Sequence, residues 1–567
     1  MHVRSSHLRL RRRVVTVAAA LLSMSLVAAS CSDDKDKAAP SSAASTTAAP
    51  ASTPSSAPTD STTAPSASSA PDTTAKDAGK PVKGGEAEIL LYSEVGTLDP
   101  VRFTGSGGSD AQRAFALYGA LVTYNDATKK SEPVLAESIE PNADFTKWTL
   151  KLKPGIKFSD GVAYDAEAVK ANMERAKDVA NRSPAFTSMM AVTALTVVDP
   201  LTLEITLASG NAHFPATISR SGVNYIASPK AIADKVDMTS QAVGAGPYLL
   251  ESWTRDDRMI MKANPDWKGS DGPFLDKLTF RVMGDEQQRV DAFDTGDADG
   301  FYTATPESVR KATEAVKDSS YTSVRTTTGQ VYVFNLTKPP FDDIRVRKIF
   351  AMGVDWQALA EDVFGPGSAA PYNFTVEDTD FYTPDAALPK YDAAETQKLI
   401  DEYTAEKGGG PLVINLNGFQ QSLDQARAEY IQTALGQYNN IEVKLTINDS
   451  PTAIGLVLKG EYDVNSWGFP VTSPDPGIYN SVFSKSLNNY AKYNNPDVDA
   501  LLMAARVNPD PAKALEDYKK VFVQLAKDIP FYPYLKTRNG FVTSPKLHGA
   551  AVYEDGILRT DLLWKEA

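Results

Sequence analysis

Cys31 is the single thiol of this 567-residue chain, and four histidines accompany it. One thiol cannot close an intramolecular disulfide. A nucleophilic cysteine needs a base, and the histidines near it in sequence, His2 and His7, both sit in the N-terminal head. The remaining imidazoles, His213 and His548, lie 335 positions apart, which argues against a histidine-based transition-metal site. Ser308-Val-Arg-Lys311 has the Ser-x-x-Lys spacing, but its partner motifs Ser-Asp-Asn and Lys-Thr-Gly are missing. In "DTGDADG", Asp294 to Gly300, Thr295 stands where a calcium loop places its first aspartate and Pro306 where it places its closing glutamate. A solvated acidic turn fits better. His-Glu-x-x-His, Gly-x-Ser-x-Gly, a Walker loop and a strand-borne Gly-x-Gly-x-x-Gly are all missing too. No catalytic residue, metal or cofactor is expected.

Aromatic and amide side chains at strand ends remain, and these suit binding rather than bond breaking. In open α/β sheets ligands sit beyond the carboxyl ends of the strands. Those ends carry Tyr92 and Glu94, then Asn417 and Phe419, then Trp467, Phe469 and Thr472. Aromatics give apolar walls, while amides and hydroxyls fix orientation. Ordinary core or loop packing is the alternative for each. Trp467 and Phe469 stand out, because two bulky rings beside a Gly-Pro-rich turn are awkward to bury fully.

The elements that position them are legible from periodicity. "EAEILLYSEVGTLDP" begins with a strand, Ala87 to Tyr92, that breaks at Gly96 and Pro100. "SDAQRAFALYGALVTYN" has apolar residues at helical spacing, with Ser109 or Asp110 as a cap. "WTLKLKPG" alternates as a half-buried strand, and "ALTVVDPLTLEITL" is a hairpin turning at Asp199-Pro200. "RMIMKANPDW" and "KLTFRV" are further strands. After Gly329 strands alternate with helices: "VYVFNL", "PLVINLNG", "LDQARAEYIQTALGQY", "IEVKLTI", "SPTAIGLVLKG", "YDVNSWGF", "PAKALEDYKKVFVQLAKD" and "IPFYPYL". Such alternation implies βαβ units and a parallel sheet. The reading is mixed α/β in at least two lobes.

The N-terminus has another character. Arg4, Arg9, Arg11, Arg12 and Arg13 form a basic head, and Val14 to Ala29 is an apolar run with small residues at its end. This is the layout of a secretory signal, and the run is short of the roughly 20 residues that a membrane-spanning helix needs. From Ala38 to Ala75 every residue is Ala, Ser, Thr or Pro except Asp60 and Asp72. Such a stretch has nothing to bury and reads as a disordered tether. As a flexible coil it would span about 35 Å. The net charge is −13, and removing the five head arginines leaves −18. That excess argues against nucleic acid or anionic lipid as a partner.

Ala28-Ala29-Ser30-Cys31 resembles a bacterial lipoprotein lipobox, with Ala28 in place of the usual leucine. The resemblance implies cleavage of residues 1–30 and lipid attachment at Cys31. Several lipid chains anchor a protein stably where one does not. Four stretches, in order, resemble the extracellular solute-binding proteins, family 5, of ABC importers. They are "LAESIEPNADFTKWTLKLKPGIKFSDGVAYDAEAVKANMER", "GAGPYLLESWTRDDRMIMKANPDWKG", "FNLTKPPFDDIRVRKIFAMGVDWQAL" and "YNNPDVDALLMAARVNPDPAKALEDYKKVFVQLAKDIPFYPY". The resemblance implies a periplasmic-binding-protein-like (type II, cluster C) two-lobe α/β fold with an extra domain inserted in lobe I. Carried over, residues 31–83 are the lipidated tether; lobe I is 84–125, 244–329 and 535–567; the inserted domain is 126–243; and lobe II is 330–534. The chain would cross between lobes near 330–335 and 531–534.

In peptide-binding members an acidic residue three positions before an acidic-Pro pair holds the ligand's amino group. The pair here is Asp475-Pro476, so that position falls on Thr472. A hydroxyl cannot neutralise a buried ammonium. Asp475 is the substitute ligand contact if the loop shifts; otherwise it shapes the Pro474-Asp475-Pro476 turn. The expected function is capture of a small solute, a peptide or peptide-like compound, by closure of two lobes, and its delivery to ABC permease subunits. The protein is expected to be a monomer, lipid-anchored on the extracytoplasmic face of the cell membrane. A sensor of the same fold and an exported hydrolase are the rival readings.

Overall fold

The computed structural model describes residues 79–566, apart from 106, 109, 126–129, 325, 378, 421, 470–473 and 555. Residues 1–30, Cys31, the Ala/Ser/Thr/Pro stretch and Thr472 lie outside the described residues. The described residues form a mixed α/β structure built on two main sheets, each with its own core, and a smaller antiparallel sheet that shares the first core. Among the described residues no helix is long and apolar enough to cross a membrane.

Lobe I is built on a seven-stranded sheet. Its centre is the strand Glu86–Leu91, which pairs in parallel with Lys277–Val282 and Gly300–Thr303. Lys277–Val282 pairs antiparallel with Arg258–Ala263, which continues to Tyr248–Thr254. On the other side Gly540–Thr543 lies antiparallel between Gly300–Thr303 and Ser320–Ser323. A four-stranded antiparallel sheet carries the inserted domain: Ala136–Pro141, Lys147–Leu152, Thr202–Leu207 and Val192–Asp199. Its strand Lys147–Leu152 alternates as its sequence does, with Trp148, Leu150 and Leu152 inward. This domain and the large sheet share one apolar core.

Lobe II has a five-stranded sheet and its own core. Leu412–Phe419 pairs in parallel with Ile441–Asn448 and with Val464–Gly468. Thr327–Phe334 is antiparallel to both Val464–Gly468 and Phe531–Thr537. The sheet is therefore mixed, where alternation of strands and helices suggested a parallel one. Thr327–Phe334 is the one strand of this sheet that runs against the others, and it enters from the large sheet of lobe I, so no βαβ rule fixes its direction. At this strand and at Phe531–Thr537 the chain passes between sheets: it leaves the large sheet after Ser323 and rejoins it at Gly540. The expected crossing residues 330–335 and 531–534 belong to these two strands and the residue after the first, whereas the chain passes between the sheets just before Thr327 and just after Thr537.

One element differs from its sequence reading. The helix of "SDAQRAFALYGALVTYN" spans only Asp110–Tyr118, and Val122–Asn125 is a strand paired with Lys130–Pro133. Gly119, at φ +65°, ends the helix. The apolar spacing beyond it belongs to buried Ala120, Leu121 and Val122, which pack into the core as loop and strand.

Candidate functional site

Strand pairing brings the hinge-side residues of lobe II together. Val331 lies opposite Trp467, and Gln330 opposite Gly468. Gly329 permits this closeness: a Cβ there would stand 2.4 Å from the Phe469 carbonyl oxygen, while its own carbonyl accepts the Phe469 N–H at 2.8 Å. The result is a wall on which Trp467 is half-buried and meets Tyr490 edge to face, with ring centroids 5.1 Å apart. Phe469 is more deeply set, 5 % exposed, and packs on Phe531 at 4.8 Å.

Lobe I supplies the facing wall. Phe103 and Gly105 come from the segment before its first helix, and Arg220 follows the short helix Phe214–Ser219. Gly105, at φ +80°, brings its backbone against the Arg220 carbonyl, and a Cβ would sit 2.7 Å from that oxygen. Arg220 Nε lies 2.5 Å from Glu554 Oε2, and the other Glu554 oxygen accepts from Ser219 Oγ at 2.6 Å. Glu554 is itself left-handed, at φ +50°. Such backbone persists where the surroundings fix it, and here an ion pair and a hydroxyl do so.

Between the walls lies a cavity of about 610 Å³, lined from both lobes by residues that include Phe103, Arg220, Gln330, Trp467, Phe469 and Tyr490. Pockets of about 300–1,000 Å³ with apolar walls and a few polar groups are typical small-ligand sites. Asparagines 480, 488 and 539 supply amides to it.

Behind the lobe II wall a buried cation organises the sheet. Arg427 donates from Nε to Tyr332 Oη at 2.8 Å, from Nη1 to Tyr534 Oη at 2.6 Å and from Nη2 to Ser466 Oγ at 2.8 Å. Asp424 accepts from it as well. Burial works against its charge, but the tyrosines and Asp424 outweigh that and raise its pKa. Tyr534 in turn donates to Gln330 Oε1 at 3.1 Å.

The sequence-derived candidates divide. Trp467 and Phe469 line the cavity. Asp475 lies beside it, lining a neighbouring cavity of about 720 Å³ between the inserted domain and lobe II. Its carboxylate is 3.0 Å from Arg506, whose guanidinium lies 3.9 Å over the Tyr479 ring. Glu94 lines a separate cavity of about 920 Å³ between lobe I and its inserted domain, and its carboxylate is held by Trp253 Nε1, the Asp256 N–H and Arg113. Tyr92 packs near Tyr302, with ring centroids 5.8 Å apart. Asn417 and Phe419 pair with Thr446 and Asn448, two strands away from the hinge. The strand-end rule selects the edge of a sheet but not the strands along it, and the cavity faces those at the hinge. Arg220, Glu554, Gln330 and Tyr490 carry no sequence signal of their own; they meet only through the fold.

Comparison with known proteins agrees with this architecture. The family described as "Bacterial extracellular solute-binding proteins, family 5 Middle" matches residues 130–491. The chain is 27% identical over 483 residues to the glutathione-binding protein GsiB of Salmonella paratyphi A, covering 82% of this chain and 92% of that protein. The Escherichia coli K12 protein of the same name is 26% identical over 481 residues, with the same shares covered. Among solved structures, the agropinic acid complex of AgaA from A. tumefaciens R10 aligns with TM-score 0.74 at 22% identity, covering 85% of this chain and 99% of that one. The murein tripeptide binding protein MppA of Escherichia coli aligns at 0.73 and 21%, covering 86% and 99%. These likenesses carry the fold. With its matched span covering more than half its length, the chain belongs to the bacterial extracellular solute-binding proteins, family 5.

Proposed function

We propose that the protein captures a small peptide-like solute between its lobes outside the cytoplasm and hands it intact to the permease of an ABC importer. The cavity of about 610 Å³ walled by both lobes carries this reading. A ligand touching both walls favours the closed form, and only that differential affinity can shift the balance. The relatives named for glutathione binding support a peptide-like ligand. In this reading lobe I comprises about 84–125, 244–329 and 535–567, the inserted domain 126–243 and lobe II 330–534. Residues 1–30 are a cleaved signal, and acyl chains on Cys31 tether the body to the membrane as a monomer.

Mass spectrometry of small molecules released by denaturing the purified protein tests the capture. A bound solute that re-binds unchanged to the refolded protein is the expected result. A solute returned chemically altered on incubation with the protein would refute it. Metabolic labelling with a palmitate analogue, compared between wild type and Cys31→Ser, tests the anchor.

A further inference from the structure

We propose that Gln330 is the specificity-determining contact of the cleft, and that it holds a carbonyl or carboxylate oxygen of a solute that brings no free ammonium group, such as an N-acylated peptide. The inference rests on the reading of the interlobe cavity as the capture site.

The argument starts at Arg427. A guanidinium only donates, so the Tyr534 oxygen accepts from Arg427 Nη1 at 2.6 Å. The guanidinium also lies 4.2 Å over the Tyr534 ring. The hydroxyl proton of Tyr534 must then go elsewhere, and it goes to Gln330 Oε1 at 3.1 Å. This fixes the sense of the carboxamide: its oxygen is engaged from behind, and its NH₂ is what Gln330 offers to the cavity it lines. Donors lined up behind a buried cation polarise one another in one direction. A second amide has the same sense, since Tyr490 donates to Asn488 Oδ1 at 3.3 Å, which leaves the Asn488 NH₂ for the cavity.

Charge points the same way. Among the described residues lining the cavity, Arg220 and Glu554 alone are charged, and they face each other at 2.5 Å. Glu554 also accepts from Ser219. Asp475, beyond Pro476, is 1 % exposed and sits against Arg506. An ammonium brought into this cavity would meet amide donors and carboxylates already engaged, and burying it without a partner is costly. An oxygen acceptor would complete the donors instead.

The test uses the purified full chain and a library of tri- and tetrapeptides, half of it N-acetylated, with retained peptides read by native mass spectrometry. The wild type is expected to retain acetylated members at least tenfold over their free-amine counterparts. Gln330→Glu replaces the donor by a carboxylate and is expected to invert that preference. Tyr534→Phe keeps the ring over Arg427 but removes the relayed proton, and is expected to cut retention of acetylated members about tenfold. Because Gln330 is solvent-exposed in the cavity, the Glu variant keeps the test open should Tyr534→Phe misfold. Free-amine members retained equally by the wild type, or a Gln330→Glu variant with unmoved preference, overturn the inference and leave capture standing. If neither half of the library is retained, the capture reading fails and the inference goes with it.

Discussion

Trp467 and Phe469 sit two residues apart and face the same cavity, yet their surroundings assign them different work. Trp467 is half-buried and leans on Tyr490, so part of its indole faces the space between the lobes. Replacing it with alanine removes ligand-facing surface and opens little of the core. Trp467→Ala should weaken solute binding at least tenfold, about 1.4 kcal/mol, with the thermal midpoint nearly unchanged. Unchanged affinity by calorimetry would remove Trp467 from the site. Phe469 is 5 % exposed and wedged against Phe531 in the lobe II core. Phe469→Ala should behave as a core truncation, costing about 3–5 kcal/mol in urea unfolding. A loss below 1 kcal/mol would mean that its ring serves the ligand more than the core. Sequence pattern named both residues because aromatics at the end of a strand are readable locally. It could not separate their roles, because that depends on Phe531 and Tyr490, which arrive from other parts of the chain.

At the scale of elements, the hinge rests on two strands of the lobe II sheet: Thr327–Phe334, which enters from lobe I, and Phe531–Thr537, which returns to it. Gly329 is its tightest point. The Phe469 carbonyl occupies the place of a side chain there, and backbone cannot move aside as a flexible side chain can. Gly329→Ala should therefore cost about 1–3 kcal/mol as an overpacked site and shift Gln330 and Trp467 together. Chemical denaturation measures the first effect and ligand affinity the second; an alanine variant as stable and as tight as the wild type would show that the approach relaxes freely. The strands themselves were legible, since alternation in "WTLKLKPG" and the apolar run "VYVFNL" are properties of short windows. Direction was not. That Thr327–Phe334 lies antiparallel to its neighbours follows from the lobe crossing, which no window of residues contains. The same limit explains Val122–Asn125: helical spacing continued past Gly119 because the core takes apolar residues from loop and strand alike.

At the scale of the molecule, the lobes touch again away from the hinge. The Ala212 N–H of the inserted domain donates to the Arg506 carbonyl of lobe II at 3.0 Å, and the His213 ring meets Tyr518 edge to face, with centroids 6.0 Å apart. The charged groups around His213 are Asp475 and Arg506 of lobe II, and Arg220, Lys130, Glu140 and Asp380 line the same cavity. Burial lowers the His213 pKa from its ordinary 6.5, Asp475 opposes that shift, and Arg506 adds to it. Lowering means that the docked form binds fewer protons than a form in which the imidazole is in water. Below pH 6.5 the opened form takes up a proton that the docked form resists, so acid favours opening; above 6.5 both forms are neutral and the contribution is constant. Solute affinity should fall as the pH drops from 7.5 to 5, by no more than about tenfold per unit because one proton is involved. His213→Gln, which keeps a polar side chain without a titrating group, should flatten the profile over that range. The measurement is affinity against pH for both forms. A variant with the wild-type slope would place the titration elsewhere, and affinity rising in acid would mean that Asp475 governs the seam and holds His213 charged when the lobes meet.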